Sequence, residues 1–187
     1  DHVKQKLEEL IIWPIQHADQ FKTLGLRPPS GLLLYGPPGV GKTLIAKAIC
    51  TAAKTNFMSI NIPDLIRAEI GESEKALAQI FRRARLAAPC VIFFDEIQAM
   101  FGDRSSVSQS QQKLITQLLL ELDSLEHEDS NDNAHVLVIA ATNVPHHIDP
   151  SVLRAKRLEY CIYVDLPDEK ARKSILEMEF QRKLNIS

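Results

Sequence analysis

Apolar positions along this chain alternate between two rhythms, short unbroken runs and longer stretches with an apolar residue every third or fourth place. The first rhythm predicts buried strands and the second predicts amphipathic helices. Val3, Leu7, Leu10 and Ile11 recur at helical spacing, and Pro14 is expected to end that run. Leu32-Leu33-Leu34-Tyr35 predicts a first strand buried on both faces. A loop from Gly36 to Gly41 follows, and Leu44, Ile45, Ala48, Ile49 and Ala52 mark one face of the next helix. Phe57-Met58-Ser59-Ile60 predicts a second strand, leading to a short helical stretch after Pro63 and a turn at Gly71. Ser73 is placed to cap a helix that carries Leu77, Ile80, Phe81 and Ala84 inward and stops before Pro89.

Val91-Ile92-Phe93-Phe94 predicts the third strand, which ends in Asp95-Glu96. Beyond a polar stretch from Gly102 to Gln112, Leu114, Leu118 and Leu122 give a helix its apolar stripe, and Glu126 to Asn133 reads as a solvated loop. Val136 to Ala141 and Cys161-Ile162-Tyr163-Val164 predict strands four and five. A charged helix with Ala171, Ile175 and Met178 inward closes the chain. Five strands alternating with helices make a three-layer α/β domain around a parallel sheet, whose ligands sit at the carboxyl ends of the strands.

Composition narrows the class without changing this picture. A chain of 187 residues buries one substantial core, and 45% hydrophobic with 25% charged residues is the balance of an ordinary globular domain. The net charge of −2 favours no polyanionic partner, so no nucleic acid is expected. No apolar run approaches the roughly 20 residues of a membrane span, and Asp1-His2-Val3-Lys4 does not begin a signal peptide. Cys50, Cys90 and Cys161 lie in apolar stretches and read as buried, reduced thiols, placing the chain in a reducing intracellular compartment, cytoplasmic or nuclear. The histidines lack metal-ligand spacing and read as surface residues.

Gly36-Pro37-Pro38-Gly39-Val40-Gly41-Lys42-Thr43 fits G-x-x-x-x-G-K-[ST] between a strand and a helix, the context this phosphate loop requires. Its glycines let backbone N–H groups turn toward phosphate oxygens, and the helix after it, with Leu44 in its first turn, adds the positive end of its dipole. Lys42 is expected to reach the β- and γ-phosphates of ATP or the phosphates of ADP, and the Thr43 hydroxyl to ligate Mg²⁺. Asp95 emerges from a central strand, where its carboxylate can hold Mg²⁺ directly or through water. Glu96 can serve as general base toward the water attacking the γ-phosphorus. Two acids after a strand are equally well a helix cap when taken alone; the phosphate loop earlier in the chain favours the functional reading. Asn143, ending a strand expected beside that of Asp95, can orient the attacking water or touch the γ-phosphate, or simply start the turn before Val144-Pro145. Arg154 and Arg157 have no obvious acid at i±4 and, on their own, read as surface arginines.

With these residues assembled, the sequence resembles the AAA family of ATPases, a group of P-loop NTPases, most closely the classical group of valosin-containing protein and NSF. The resemblance rests on Pro28-Pro29-Ser30-Gly31, the phosphate loop, Gly71-Glu72-Ser73-Glu74, Phe94-Asp95-Glu96, Ala141-Thr142-Asn143, Ile148-Asp149-Pro150 and Leu166-Pro167-Asp168. It implies a homo- or hetero-hexameric ring with ATP at each boundary, acting with adaptors on protein substrates. It also implies that Arg154 and Arg157 are arginine fingers for a neighbour's site, worth about 10³ to 10⁵ in rate in related enzymes. Residues 1–167 would form the large α/β subdomain, and 168–187 the start of a truncated helical lid.

Several positions depart from the family pattern. Glu69-Ile70 stand where threading members carry a pore-lining aromatic pair, Gln112-Lys113 replace an arginine-rich pair, and Gln98 replaces an acid. Ala155-Lys156 replace Pro-Gly between the arginines, which resembles the katanin and spastin branch, as does Arg157-Leu158-Glu159, whereas Val3 to Phe21 is more similar to the double-ring branch. An ATP-driven remodelling motor and an ATP-bound scaffold with little turnover are the competing functions, and the presence of Glu96, Asn143 and both arginines favours the motor. No Asn-Lys-x-Asp segment supports a GTPase.

Overall fold

The apolar runs become the inner strands of one parallel sheet. In the computed structural model, which describes residues 2–66, 72–101, 109–127 and 135–184, the chain opens with α1 (His2–Leu7), a π-helical turn at Glu8–Ile12, α2 (Trp13–Gln16) and α3 (Ala18–Thr23). Strand β1 (Gly31–Tyr35) leads to α4 (Lys42–Ala53), and β2 (Asn56–Asn61) to α5 (Ile62–Ile66) and α6 (Glu72–Leu86). Strand β3 (Cys90–Asp95) precedes α7 (Gln109–His127); β4 (Val136–Thr142), β5 (Tyr160–Tyr163) and α8 (Glu169–Leu184) follow. The sheet order is β2-β3-β4-β1-β5 with every neighbouring pair parallel, so β4 does lie beside β3, as the position expected for Asn143 requires.

Side chains on a strand alternate between faces, and here that alternation feeds two separate cores. Leu33, Ile92, Phe94, Val138 and Ala140 pack with Leu77, Phe81, Leu114, Leu118 and Leu122 from α6 and α7. Leu32, Leu34, Val91, Phe93, Leu137 and Ile139 face the other way, against Leu7, Ile11, Ala46, Ile49 and Cys50. Each large side chain so buried contributes about 1.5–3 kcal/mol relative to exposure. The inner strands need apolar residues at every position because both faces are covered. The edge strands β2 and β5 do not, and they carry exposed residues along their length.

Several expectations are corrected. Pro14 does not end the first helix: the backbone widens into the π turn, with the Trp13 N–H bonded to Glu8 O, and helix resumes through Gln16 with Pro14 in the first turn after it. Helix α4 buries Lys42, Ala46, Ile49, Cys50 and Ala53, whereas Leu44, Ala48 and Ala52 point outward. Ser73 lies within α6 rather than capping it, and its hydroxyl donates to Leu65 O. Helix α7 runs through His127, past the expected loop boundary at Glu126. Cys161 is exposed on the edge strand β5, unlike buried Cys50 and Cys90. Ile175 and Met178, expected to face inward, are 46% and 64% exposed on α8, because among the described residues that helix has almost no apolar surface to pack against. Glu69-Ile70, the Gly71 turn, residues 102–108 of the polar stretch and 128–133 of the loop lie outside the described residues.

The surface reading of the histidines fails at His135. This side chain is half-buried just before β4, and burial pulls its pKa from 6.5 down to about 4, against the opposing effect of a hydrogen bond with the Pro29 backbone. The folded protein therefore keeps it neutral in a range where the unfolded chain binds a proton. As pH falls from 6.5 to about 4 this group withdraws stability, on the order of 3 kcal/mol in total, and below that range it withdraws no more. Urea unfolding near pH 7 and near pH 4.5 should show a steeper loss for the wild type than for His135→Gln; equal losses would mean the ring is freely solvated.

Candidate active site

Strands β3, β4 and β1 are neighbours in the sheet, and the loops at their carboxyl ends bring the predicted residues together. Gly36 begins the loop after β1 under severe restraint: its N–H bonds Thr142 O at 3.3 Å, and a Cβ built on it would meet Val164 O at 2.1 Å. Only glycine permits that approach. Pro37 and Val40 are half-buried, while Pro38 and Gly39 are exposed at the crest. Gly39 and Gly41 are left-handed, with φ of 77° and 88°. Gly41 is the N-cap of α4 and supplies no side-chain hydrogen bond, so the first N–H groups of a 12-residue helix are left for a ligand. Leu44, in the first turn, is 72% exposed beside this loop.

Lys42 is the most constrained polar group of the site. Only 8% exposed, its ammonium donates to Gly36 O at 2.9 Å, Pro37 O at 2.8 Å and Asn143 Oδ1 at 2.6 Å, which uses all three of its protons. Burial lowers its pKa, and the Asp95 carboxylate works in the opposite direction. All three acceptors are on uncharged groups, and a phosphate would offer this buried cation stronger, charge-assisted partners.

The Thr43 hydroxyl donates to Asp95 Oδ2 at 2.7 Å. That hydroxyl and carboxylate are hard oxygen donors of the type Mg²⁺ takes. Among the described residues no group of three or more His, Cys, Asp or Glu side chains could hold a metal ion, so a cation here would complete its shell with water and phosphate oxygens. Glu96 follows on exposed backbone in the left-handed region, with φ of 53° and ψ of 43°, and its N–H bonds Asp95 Oδ1 at 3.0 Å. A non-glycine residue held there costs about 1 kcal/mol or more. The turn swings the chain off β3 directly after Asp95, leaving one carboxylate engaged with Thr43 and the next exposed beside it.

The two arginines separate. Arg154 is exposed, and among the described residues nothing engages its guanidinium. Arg157 has 18% side-chain exposure and is held within its own chain: Nε and Nη2 donate to Asp123 Oδ1 and Oδ2 at 2.6 and 2.7 Å, and Nη1 donates to Ser151 O at 2.7 Å. The Asp123 bond raises its pKa further. Arg157 is thus not the free surface arginine its i±4 neighbours suggested. Asp123 stands 34 positions from its partner, and no short-range pattern in the sequence links the two. The Gly36 contact with Val164 joins the ends of two strands far apart in sequence and was equally hidden.

Comparison with known proteins covers nearly the whole chain. Residues 32–166 match the family model described as "ATPase family associated with various cellular activities (AAA)". The "Cell division cycle protein 48 homolog" of Archaeoglobus fulgidus is 45% identical over 185 residues, 98% of this chain and 25% of that protein. The "ATPase family gene 2 protein" of Schizosaccharomyces pombe is 45% identical over 182 residues, 97% of this chain and 22% of its own. The "ATPase family protein 2 homolog" of Caenorhabditis elegans is 43% identical over 184 residues, 97% of this chain and 25% of its own. The chain spans about a quarter of the length of these curated relatives.

Proposed function

Because the chain belongs to the AAA family of ATPases, we propose that it binds Mg²⁺·ATP at the carboxyl ends of β1, β3 and β4 and hydrolyses it in a hexameric ring whose subunits complete one another's sites. The observation that carries this reading is the buried Lys42 ammonium, bonded at once to the phosphate loop and to Asn143, with the Thr43–Asp95 pair beside it. Lys42 would exchange carbonyl partners for the β- and γ-phosphates. Mg²⁺, held by Thr43 and Asp95, would offset phosphate charge.

Glu96 would accept the proton of the attacking water, whose oxygen bonds to the γ-phosphorus as the bridging bond to ADP breaks. Asn143 adds a neutral amide that orients without altering the charge. Gly36 to Leu44 would line the nucleotide, residues 168–187 would begin the lid, and Arg154 and Arg157 are the candidates for action in trans. Remodelling of protein substrates with adaptors is the output that the family resemblance implies. The unpaired thiols Cys50, Cys90 and Cys161 suit a reducing compartment, cytoplasmic or nuclear. No helix of the described residues is long and apolar enough to cross a membrane.

Trans completion has a direct test in the complete protein. Subunits carrying Arg154→Ala and Arg157→Ala should bind ATP normally yet turn over as slowly as Glu96→Gln subunits, about 10³-fold or more below wild type. Mixing the two kinds should restore part of the activity at boundaries that pair an intact Glu96 with intact arginines. If mixed rings form and no ratio restores hydrolysis, the sites are not shared.

A further inference from the structure

The segment that presents Arg154 is short of intrinsic reasons to hold its shape. Residues Arg154 to Arg157 close a tight turn through the bond from Arg157 N to Arg154 O, 3.1 Å. The third residue, Lys156, sits at φ 73°, a conformation that glycine adopts freely and a side chain with a Cβ resists. The turn is therefore held from outside. Lys156 N donates to Glu159 Oε2 at 3.1 Å. Leu158 and Val152 are buried on either side, with Leu158 N bonded to Val152 O at 3.0 Å. The backbone at Arg157 presses on the start of β1, where a Cβ on Gly31 would meet Arg157 O at 2.8 Å. The strongest tie is the two-pronged Arg157–Asp123 pair, which fastens the turn to the last part of α7, with Ser151 O as the third acceptor.

This arrangement leaves the two guanidiniums in opposite states. Arg157 would have to give up three hydrogen bonds, two of them to a carboxylate, before it could reach a phosphate on another subunit. Arg154 has nothing to give up among the described residues. We propose that Asp123 and Arg157 form a clamp within one subunit that positions Arg154, and that Arg154 is the guanidinium offered to the neighbour's nucleotide. This rests on the reading that sites are shared between subunits. Asp123 and Arg157 are then positioning residues: they act through the turn and touch no substrate.

The test uses the complete protein, with ATP turnover, fluorescent-ATP binding and thermal midpoint measured on each variant. Asp123→Ala and Arg157→Ala should lower kcat by similar factors, roughly 10- to 100-fold, the scale expected when a reacting group is displaced by about an ångström. ATP affinity should be unchanged, and the double variant should be no slower than either single one, because the pair acts as one unit. Lys156→Gly, which removes the backbone strain, should recover part of the kcat lost in Asp123→Ala. Mixed with Glu96→Gln subunits, Asp123→Ala subunits should regain activity as Arg154→Ala subunits do, a complementation that a general loss of stability would not produce.

Full turnover in Asp123→Ala beside a loss of about 10³-fold in Arg157→Ala would overturn the proposal and make Arg157 itself the trans-acting group. A kcat loss in Asp123→Ala that follows a fall in the thermal midpoint, with neither Lys156→Gly rescue nor complementation, would also overturn it. Full turnover in Arg154→Ala fails differently: it removes the shared-site reading of Arg154, and the clamp falls with it.

Discussion

Replacing Lys42 with alanine is expected to weaken ATP binding at least about 100-fold, equivalent to about 3 kcal/mol. The loop would then face the phosphate charges with helix-terminal N–H groups but without its ammonium, the buried cation positioned between Gly36, Pro37 and Asn143. The substitution also leaves two carbonyls and an amide oxygen without their donor, so a thermal midpoint must accompany the titration to show that the variant is folded. An unchanged affinity in a folded variant would move the phosphate site elsewhere. Asn143→Ala serves as a partial control, since it takes away one acceptor of Lys42 and leaves the cation in place.

Glu96→Gln is expected to leave ATP bound and to slow hydrolysis by about 10²- to 10⁴-fold, the usual contribution of a general base. Glutamine keeps the shape of the side chain but cannot take the proton of the attacking water. Glu96 is exposed and its backbone conformation is set by the turn after β3, so this exchange should not disturb the Thr43–Asp95 contact. Single-turnover measurements with tightly bound ATP separate the chemical step from binding and release. A wild-type rate in the variant would take Glu96 out of the reaction and leave Asp95 or solvent as the base to consider.

The parts of this molecule legible in the sequence are those in which one local signal had one physical meaning. Leu32 to Tyr35, Val91 to Phe94 and Val136 to Ala141 are apolar without interruption because the strands they form are covered on both faces, and the phosphate loop is recognisable because few other backbones need its glycines. Helix α4 buries a face other than its most hydrophobic one. Its apolar periodicity supports two overlapping faces, and hydrophobicity selected the one with Leu44, whereas the structure buries Lys42 because three acceptors receive its ammonium. Helix α8 shows the opposite error, since Ile175 and Met178 are apolar yet meet no core among the described residues. The Asp123–Arg157 pair and the burial of His135 depend on contacts between segments distant in sequence, and residue spacing carries no trace of them.

The meeting of Gly36 with Val164 bears on how a chemical event could become movement. Val164 N bonds Tyr35 O at 2.8 Å, and no side chain fits between Gly36 and the Val164 carbonyl. Two backbones in such contact have no compressible cushion between them. Strand β5 ends there, and the chain passes through Leu166 and Pro167 into α8. The phosphate loop is therefore butted directly against the end of the edge strand β5. A small displacement at Gly36 would reach Val164, and through it the end of β5, without slack.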